Sequence, residues 1–389
     1  MKKTIAFCTG TRAEYGLLKP LMELVLQDER LNFELYVTGM HLSPEFGNTI
    51  DLIEKDLIPI SEKIEILVSG DSPSAVTKSM GLAMIGFADV FNRHKPDVLV
   101  ILGDRFEAFC LAAAATVARI PIAHLHGGEL TEGAIDDAFR HAITKMSYLH
   151  FTSTEEYRRR VIRMGECPAR VFNVGALGIE NIKNLPLLDR PSLERELGVK
   201  LGEKYALVTF HPATLEDESP VVQMRELLAA LDKELDLFVV FTKANADASG
   251  RVINSMIDEY VSKYSRRSIA FTSMGQIRYL STMRLASVVI GNSSSGIIEA
   301  PSFGIPTVNI GDRQKGRVRA KSIIDCAARQ NAITSAIKES LDPAFGSRLV
   351  GLRNPYEGEQ VSRKILDAIR DAVLPGESFF KSFYEDEVL

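Results

Sequence analysis

Residues 288–299 read Val-Val-Ile-Gly-Asn-Ser-Ser-Ser-Gly-Ile-Ile-Glu, a β-branched run followed by a polar loop and a second apolar segment. The run over residues 288–290 predicts a buried strand, and the segment over residues 297–303 predicts a helix. A strand that enters a helix through a Gly- and Ser-rich loop is typical of a parallel sheet covered by helices. This stretch therefore favours an α/β fold.

The same alternation of short apolar runs and helical patterns continues through the chain. In the first half it predicts strands at residues 4–8, 33–37, 97–102, 121–125, 149–152 and 171–174, and helices at 17–26, 74–92, 107–118 and 136–145. In the second half it predicts further strands at 206–210, 237–241, 269–271 and 307–310, and helices at 220–235, 251–264 and 276–283. Pro20 is expected in the first turn of its helix, where the missing N–H has no cost.

The 389 residues are enough for two domains. A polar stretch over residues 188–203 predicts a linker between them. We therefore expect two Rossmann-like domains, residues 1–188 and 189–358, facing each other across a cleft. An amphipathic helix over residues 359–373 begins a C-terminal segment, residues 359–389, which we expect to pack back on the first domain.

Composition excludes several classes of protein. Apolar residues make up 46% of the chain, which excludes a disordered protein, and the net charge of −5 provides no broad basic surface for a nucleic acid. The charge-free stretch over residues 108–118 is too short to span a membrane, and the apolar run over residues 4–8 is too short for a signal peptide. We expect a cytoplasmic protein with no nucleic-acid or membrane partner.

Cysteine and histidine spacing favours no metal site. The four cysteines form no C-x-x-C pair, which argues against structural zinc and against a disulfide framework. His124 and His126 form an H-x-H pair that could bind a metal, but the spacing identifies no third ligand. General acid–base chemistry is the better interpretation of these histidines beside Gly127, Gly128 and Glu129.

Charged side chains follow the predicted strands of the first half. Arg12 lies in a Gly-containing loop that leads into a helix, a setting that suits an anion, although a plain turn would look the same. Asp104 and Arg105 come directly after a buried strand, where Asp104 could act in catalysis or simply cap a helix. Asp136 opens another helix, where it could act on a substrate or merely complement the helix dipole.

In the second half, the serine loop is the strongest signal. Hydroxyl and backbone N–H groups around Ser293 and Ser294 could hold a diphosphate, and Glu299 could accept hydrogen bonds from ribose hydroxyls. Arg313 would add a cation from the neighbouring strand end. His211 follows a strand and could donate to a phosphate, although a lone histidine there is more often structural.

Taken together, these motifs make the chain similar, along essentially its whole length, to the hydrolysing sugar-nucleotide 2-epimerases of bacterial sialic-acid and legionaminic-acid biosynthesis. The matching stretches are residues 10–15, 103–107, 126–129, 136–145, 291–294 and 311–314. The resemblance implies a GT-B fold whose C-terminal domain holds UDP. It also implies conversion of a UDP-2-acetamido-glucose-type sugar into the free manno sugar and UDP, with no metal or redox cofactor.

The resemblance also implies roles for single residues. Its nucleotide-contacting positions fall on Arg12, Arg105, His211, Asn245, Ser293, Ser294, Glu299 and Arg313, and the matching N-terminal stretch adds Glu14. Its catalytic carboxylates fall on Asp104 and Asp136. A third carboxylate in relatives occupies the position of His126, so either His126 or Glu129 fills that role here.

Several alternatives remain at this point. The substrate is expected to be UDP-N-acetylglucosamine, with UDP-N,N′-diacetylbacillosamine as the nearest rival. A non-hydrolysing epimerase, a GT-B glycosyltransferase and a non-catalytic sensor of nucleotide sugars are further alternatives. We expect a homodimer or homotetramer.

Overall fold

The computed structural model describes residues 2–70, 72–132, 134–212, 218–244, 250–372 and 381–385. The chain divides into two compact units. Unit 1 comprises Met1–Glu129, Asp136–Asn181 and Gly358–Leu389, and unit 2 comprises Leu130–Ile135 and Ile182–Glu357.

Unit 1 contains a parallel sheet of seven strands in the order β3-β2-β1-β4-β5-β6-β7. Its strands are β1 (Lys3–Thr9), β2 (Leu31–Thr38), β3 (Glu62–Ile64), β4 (Val98–Leu102), β5 (Ile122–Leu125), β6 (Leu149–Thr152) and β7 (Val171–Asn173). Its helices are α1 (Arg12–Gln27), α2 (Ile50–Lys55), α3 (Pro73–Arg93), α4 (Phe106–Val117), α5 (Asp136–Met146), α6 (Glu155–Arg163), α7 (Leu177–Asn184, which crosses the unit boundary) and, from the C-terminus, α15 (Val361–Asp371).

Unit 2 contains a parallel sheet of six strands in the order β10-β9-β8-β11-β12-β13. Its strands are β8 (Lys204–Thr209), β9 (Leu237–Thr242), β10 (Ser268–Phe271), β11 (Val288–Gly291), β12 (Thr307–Ile310) and β13 (Ile323–Cys326). Its helices are α8 (Arg190–Leu197), α9 (Pro220–Leu231), α10 (Gly250–Lys263), α11 (Gln276–Leu285), α12 (Ser294–Ile298), α13 (Gln330–Ser340) and α14 (Pro343–Ser347). The prediction of two parallel α/β sheets is confirmed.

Both faces of each sheet are buried. In β1, Ile5 and Phe7 join one apolar core while Ala6 joins the core on the opposite face. In β8, Ala206 and Val208 pack on one side and Leu207 on the other. Because both faces of these strands are covered, they read as continuous apolar runs, as parallel strands do.

The strand order locates the carboxyl-terminal edge where ligands bind in such sheets. In unit 1 the order reverses between β1 and β4, and in unit 2 it reverses between β8 and β11. Loops that leave two such neighbouring strands diverge to opposite faces of the sheet, which opens a crevice between them. Predicted motifs follow each of these four strands, and the motifs that contain His126 and Arg313 follow the next strands of the sheets, β5 and β12.

Contrary to the prediction from the sequence, Pro20 does not lie in the first turn of its helix. A capping box at Thr11 starts α1 at Arg12, so Pro20 lies well inside the helix. Its missing N–H leaves the Gly16 carbonyl without its intrahelical donor, and the buried Asn181 side chain donates to that oxygen instead (3.0 Å).

The stretch predicted as a linker, residues 188–203, is also more ordered than expected. It contains α8, which Asp189 caps, and Leu193 and Leu197 of α8 are buried in the core of unit 2. The short strands β3 and β13 were not predicted, because each carries only a few apolar residues. Within the described part of the chain, no helix has the length and apolar character needed to cross a membrane.

Candidate functional site

The loop after β1 is closed by Glu14 of α1. The Glu14 carboxylate accepts hydrogen bonds from the backbone N–H groups of Gly10 (2.8 Å) and Thr11 (3.0 Å), while the Thr11 hydroxyl accepts one from the Glu14 N–H. These N–H groups are therefore bound to a carboxylate of the protein itself. Arg12, the first residue of α1, is half-buried beside them.

The carboxyl groups of Glu14 and Glu107 lie close together next to this loop. Glu107 in the first turn of α4 is buried and receives two hydrogen bonds from Arg105 (3.2 and 3.3 Å). A Cβ atom at Gly10 would lie 3.5 Å from Glu14 Oε2 and 3.6 Å from Glu107 Cδ, so the two side chains meet at Gly10. Burial and the charge of Glu107 raise the pKa of Glu14 to about 7, against the lowering effect of Arg105.

Asp104 follows β4 and is held by Arg140 of α5. The Arg140 side chain is 3% exposed, and its Nη2 contacts Asp104 Oδ2. Nη1 donates to the carbonyl of His126 (3.0 Å) and lies 3.8 Å from Glu129 Oε2. One buried guanidinium thus joins the ends of β4 and β5.

His126 and Glu129 form a hydrogen-bonded pair. His126 Nδ1 lies 2.9 Å from Glu129 Oε1, which also accepts a hydrogen bond from the Ser153 hydroxyl (2.7 Å). The Glu129 side chain is 1% exposed, compared with 11% for His126. The Leu177 N–H donates a long hydrogen bond to Nε2 (3.5 Å), which makes Nε2 the acceptor of the ring and leaves Nδ1 to donate to the Glu129 carboxylate.

The turn at His126 is conformationally special. His126 has φ +64°, and Gly128 has φ +76°. A Cβ atom at Gly128 would lie 2.7 Å from the Tyr157 carbonyl, so only glycine fits there. His124, the other member of the H-x-H pair, is buried and donates from Nε2 to the Gly103 carbonyl (2.7 Å), and burial lowers its pKa to about 3. His124 is therefore a neutral structural residue.

Asp136 begins α5, one helical turn before Arg140. Residues four apart lie on the same face of a helix, so Asp136 and Arg140 share one face of α5. Unit 1 thus brings Asp104, His126 and Glu129 together around Arg140, and Asp136 lies one turn before Arg140 on α5. Arg12, Glu14 and Arg105 form the neighbouring group at the ends of β1 and β4.

In unit 2, the Asn292 side chain organises the predicted phosphate loop. Its Oδ1 accepts from the His211 N–H (2.7 Å) and its Nδ2 donates to the His211 carbonyl (2.8 Å), so the side chain joins the loop after β11 to the loop after β8. Arg313 Nη1 and Gln314 Nε2 both donate to the Asn292 carbonyl (3.0 and 2.8 Å). His211, Ser293 and Arg313 are thereby brought together.

The serine loop itself is a hydroxyl cluster. Ser293 caps α12, its hydroxyl lies 3.0 Å from that of Ser295, and the Tyr279 hydroxyl also contacts Ser295. Ser294 is the first residue of α12, and Glu299 follows its last turn. Gly291 has φ +133°, and a Cβ atom there would lie 1.9 Å from the Thr209 carbonyl, so the loop leaves β11 in a direction that only glycine allows.

A cavity of about 570 Å³ lies in unit 2, at the ends of β12 and β13. It is lined by charged side chains that include Asp312, Lys315 and Arg329. Asn245, which the sequence also assigned to nucleotide binding, lies outside the described residues. Among the described residues, no group of three or more His, Cys, Asp or Glu side chains could hold a metal ion.

Sequence reasoning assigned no role to several residues that shape these sites. Arg140 and Asn292 stood inside recognised motifs, next to Asp136 and Ser293, so their positions were visible although their partners were not. Glu107 lies two residues after Arg105, inside the matching stretch 103–107, so its position was visible in the same way. Ser153 and Tyr279 gave none, because only the packing of β6 and α11 brings them to their partners.

Comparison with known proteins agrees with the resemblance drawn from the motifs. The family model described as UDP-N-acetylglucosamine 2-epimerase matches residues 24–370. The GDP/UDP-N,N′-diacetylbacillosamine 2-epimerase (hydrolyzing) of Campylobacter jejuni is 46% identical over 83% of this chain and 84% of its own. The polysialic acid biosynthesis protein P7 of Escherichia coli is 40% identical over 98% of this chain and 97% of its own.

The solved structures agree in fold. The UDP-GlcNAc 2-epimerase of Neisseria meningitidis, solved bound to UDP-GlcNAc, has a TM-score of 0.78 at 16% identity and covers 96% of this chain and 100% of its own. That likeness gives a GT-B-like fold. With the family model matching most of the chain and relatives at 40% identity or more, the chain belongs to the UDP-N-acetylglucosamine 2-epimerase family.

Proposed function

We propose that this protein is a hydrolysing 2-epimerase that converts a UDP-2-acetamido sugar into UDP and the free sugar inverted at C2. Family membership and the name of the Campylobacter relative support the reaction type. The observation that carries the proposal is the group of acid–base side chains around Arg140, at the carboxyl ends of β4 and β5.

The chemistry requires groups that move protons on both faces of a sugar ring. In the first step a base takes the C2 proton, the C2–H electron pair forms a C1=C2 double bond, and the C1–O pair leaves with UDP. In the second step a water oxygen adds to C1, its proton goes to a base, and an acid returns a proton to C2 from the opposite face. The intermediate is a 2-acetamido glycal.

Asp104 and Asp136 are our candidates for the two acid–base groups. They come from different elements, the end of β4 and the start of α5, which suits two positions around one ring. The third function is assigned to the His126–Glu129 pair. His126 is the more accessible member, and the hydrogen bond that its Nε2 accepts from the Leu177 N–H is long (3.5 Å), so we assign the proton exchange to His126, with Glu129 orienting it.

Unit 2 would hold UDP. The hydroxyls of Ser293 and Ser294, with Arg313 and His211 organised by Asn292, form a donor-rich group for a diphosphate. Glu299 would accept from the ribose hydroxyls, and Asn245 would add a further contact. In unit 1, Arg12, Glu14 and Arg105 are proposed as further substrate contacts, and the two arginine side chains would stabilise the negative charge of the departing UDP.

Two substrates are proposed. UDP-N-acetylglucosamine is supported by the family description, and UDP-N,N′-diacetylbacillosamine is supported by the name of the Campylobacter relative. They differ in their substituents at C4 and C6. We also propose a homodimer or homotetramer, because α3 exposes Leu82 and Ile85, at 45% and 66%, on an otherwise folded surface.

The proposal is tested by incubating the protein with each UDP-sugar in deuterated water. The expected product is free sugar of manno configuration carrying deuterium at C2, since the original proton leaves and a solvent proton replaces it. In H₂¹⁸O the label should enter C1 of the sugar and not UDP, because the C1–O bond breaks.

Three outcomes would contradict this function. Undeuterated gluco sugar would mean simple hydrolysis, and an epimerised UDP-sugar that is not released would mean a non-hydrolysing epimerase. UDP release that depends on an added acceptor would mean a glycosyltransferase. Comparison of the two sugars at equal concentration identifies the substrate.

A further inference from the structure

Arg140 is a deeply buried charged residue enclosed by the proposed acid–base groups. Its guanidinium contacts the Asp104 carboxylate through Nη2 and the His126 carbonyl and Glu129 through Nη1. It comes from α5, whereas its partners follow β4 and β5, so it joins three separate segments. A buried arginine is expensive to desolvate and is retained where its planar, multiple contacts are needed.

The contacts constrain geometry as well as charge. A guanidinium donates its hydrogen bonds in a fixed plane. Because one nitrogen contacts Asp104 and the other donates to the His126 carbonyl, Arg140 fixes the position of the Asp104 carboxylate relative to the His126 backbone. The backbone at His126 has φ +64°, a conformation that needs external support in a non-glycine residue. Asp136 lies one turn earlier on the same helix and is placed by the same element.

We propose that Arg140 is a positioning residue for the epimerisation, which orients the Asp104 carboxylate and the His126 turn toward the sugar ring. This role rests on the proposed function. Arg140 acts through Asp104 and His126, and it is not assigned to UDP, which unit 2 would hold. Its removal should therefore reduce the chemical steps while leaving nucleotide affinity unchanged.

The test compares Arg140→Ala and Arg140→Lys with the wild-type chain. Misplacement of a reacting group by about 1 Å costs about a hundredfold in rate, so kcat of Arg140→Ala should fall about that much, with the affinity for UDP within about twofold of wild type. The kcat of Arg140→Lys should also stay well below that of the wild type, because a lysine ammonium cannot contact Asp104 and the His126 carbonyl at the same time. Methylguanidinium added at millimolar concentration should raise kcat of Arg140→Ala by about tenfold or more, since it can refill the space and both contacts.

Arg160 provides a matched control. It donates to the Gly128 carbonyl (2.5 Å), on the same glycine turn, but its ion pair is with Glu156 of its own helix. Arg160→Ala should lose stability, keep kcat within about threefold of wild type and show no response to methylguanidinium. A general need for arginine at this turn would instead make the two variants behave alike, which would overturn the proposal.

A double-mutant cycle covers the case in which Arg140→Ala does not fold. Because Arg140 acts partly through Asp104, the fold-loss in kcat caused by Arg140→Lys should be smaller in the Asp104→Asn background than in the wild-type chain. Additive losses in kcat, or wild-type kcat in Arg140→Lys, would overturn the role. Absence of turnover by the wild-type chain on any UDP-sugar would overturn the proposed function first, so the two failures are distinguishable.

Discussion

At the scale of single residues, Glu14 has two competing tasks. Its carboxylate caps α1 by accepting from the N–H groups of Gly10 and Thr11, which favours the charged form. Burial and the nearby Glu107 favour the neutral form, and the pKa rises from 4.5 to about 7. The loop at the end of β1 therefore changes its charge close to neutral pH.

This predicts a pH-dependent effect of Glu14→Gln on stability. The folded chain keeps a proton on Glu14 up to about pH 7, whereas the unfolded chain loses it near pH 4.5, so the wild type loses stability as pH rises through this window. Glutamine cannot ionise but still accepts from both N–H groups. The free energy of unfolding of Glu14→Gln, relative to wild type, should increase between about pH 5 and about pH 8 in urea titrations.

Glu23→Gln on the same helix serves as control. Glu23 is half-exposed and makes a 3.8 Å ion pair with Lys19, so its effect should be small at each pH. A pH-independent difference between Glu14→Gln and wild type would mean that Glu14 is ionised throughout and that the two carboxyl groups do not interact.

At the scale of elements, α1 shows how a proline is accommodated within a helix. Pro20 supplies no N–H to the Gly16 carbonyl, and the Asn181 amide from α7 donates to it instead. The sequence-based prediction began the helix too late because Arg12–Gly16 is polar at several positions. The capping box, which is a hydrogen-bonding feature and not an apolar one, is what extends the helix to Thr11.

We expect Asn181→Ala to destabilise the protein by about 1–2 kcal/mol, because it leaves a buried helix carbonyl without its donor. In a Pro20→Ala background the cost should be much smaller, since the alanine that replaces the proline supplies a backbone N–H to the same carbonyl. Chemical denaturation of the four chains of this cycle measures the coupling. Asn32→Ala, which removes a long, exposed hydrogen bond to Thr4, is the control and should change little. Equal costs in both backgrounds would show that Asn181 does not compensate for Pro20.

At the scale of the whole chain, unit 1 is completed by its C-terminal end. The apolar face of α15, which includes Val361, Ile365 and Leu366, is buried in the same core as β1 and α1. Lys3 at the start of β1 donates to the carbonyls of Arg370 (2.9 Å) and Ala372 (3.2 Å), which closes the end of α15. β1 and α15 are thus joined within one unit.

Leu366→Ala should therefore destabilise unit 1 by about 2–5 kcal/mol, as expected for a fully buried leucine. Calorimetry of the full chain measures the shift of the unfolding transition. Leu235→Ala, at a position that is 71% exposed, should leave that transition within about 0.5 kcal/mol of wild type. A Leu366→Ala protein as stable as wild type would mean that α15 contributes no core to unit 1.

Much of this molecule could be inferred without the structure, and for a physical reason. Strand and helix patterns are local, so the runs around β1, β4, β8 and β11 were predicted close to their observed bounds. The carboxyl ends of parallel strands meet at one edge of a sheet, so motifs that follow strands predict a shared site. The sequence by itself thus determined the fold class, the family and the segments that carry the candidate chemistry.

Other features depend on contacts between segments that lie far apart along the chain. Arg140 reaches Asp104, Asn181 reaches Gly16, and α15 packs on α1 only because the strand order and the packed helices bring them together. Burial then decides electrostatics, as it does for Glu14, since desolvation depends on everything that surrounds a group. The tertiary structure alone decided which charged side chains meet, because the local sequence does not determine the distances between residues that lie far apart along the chain.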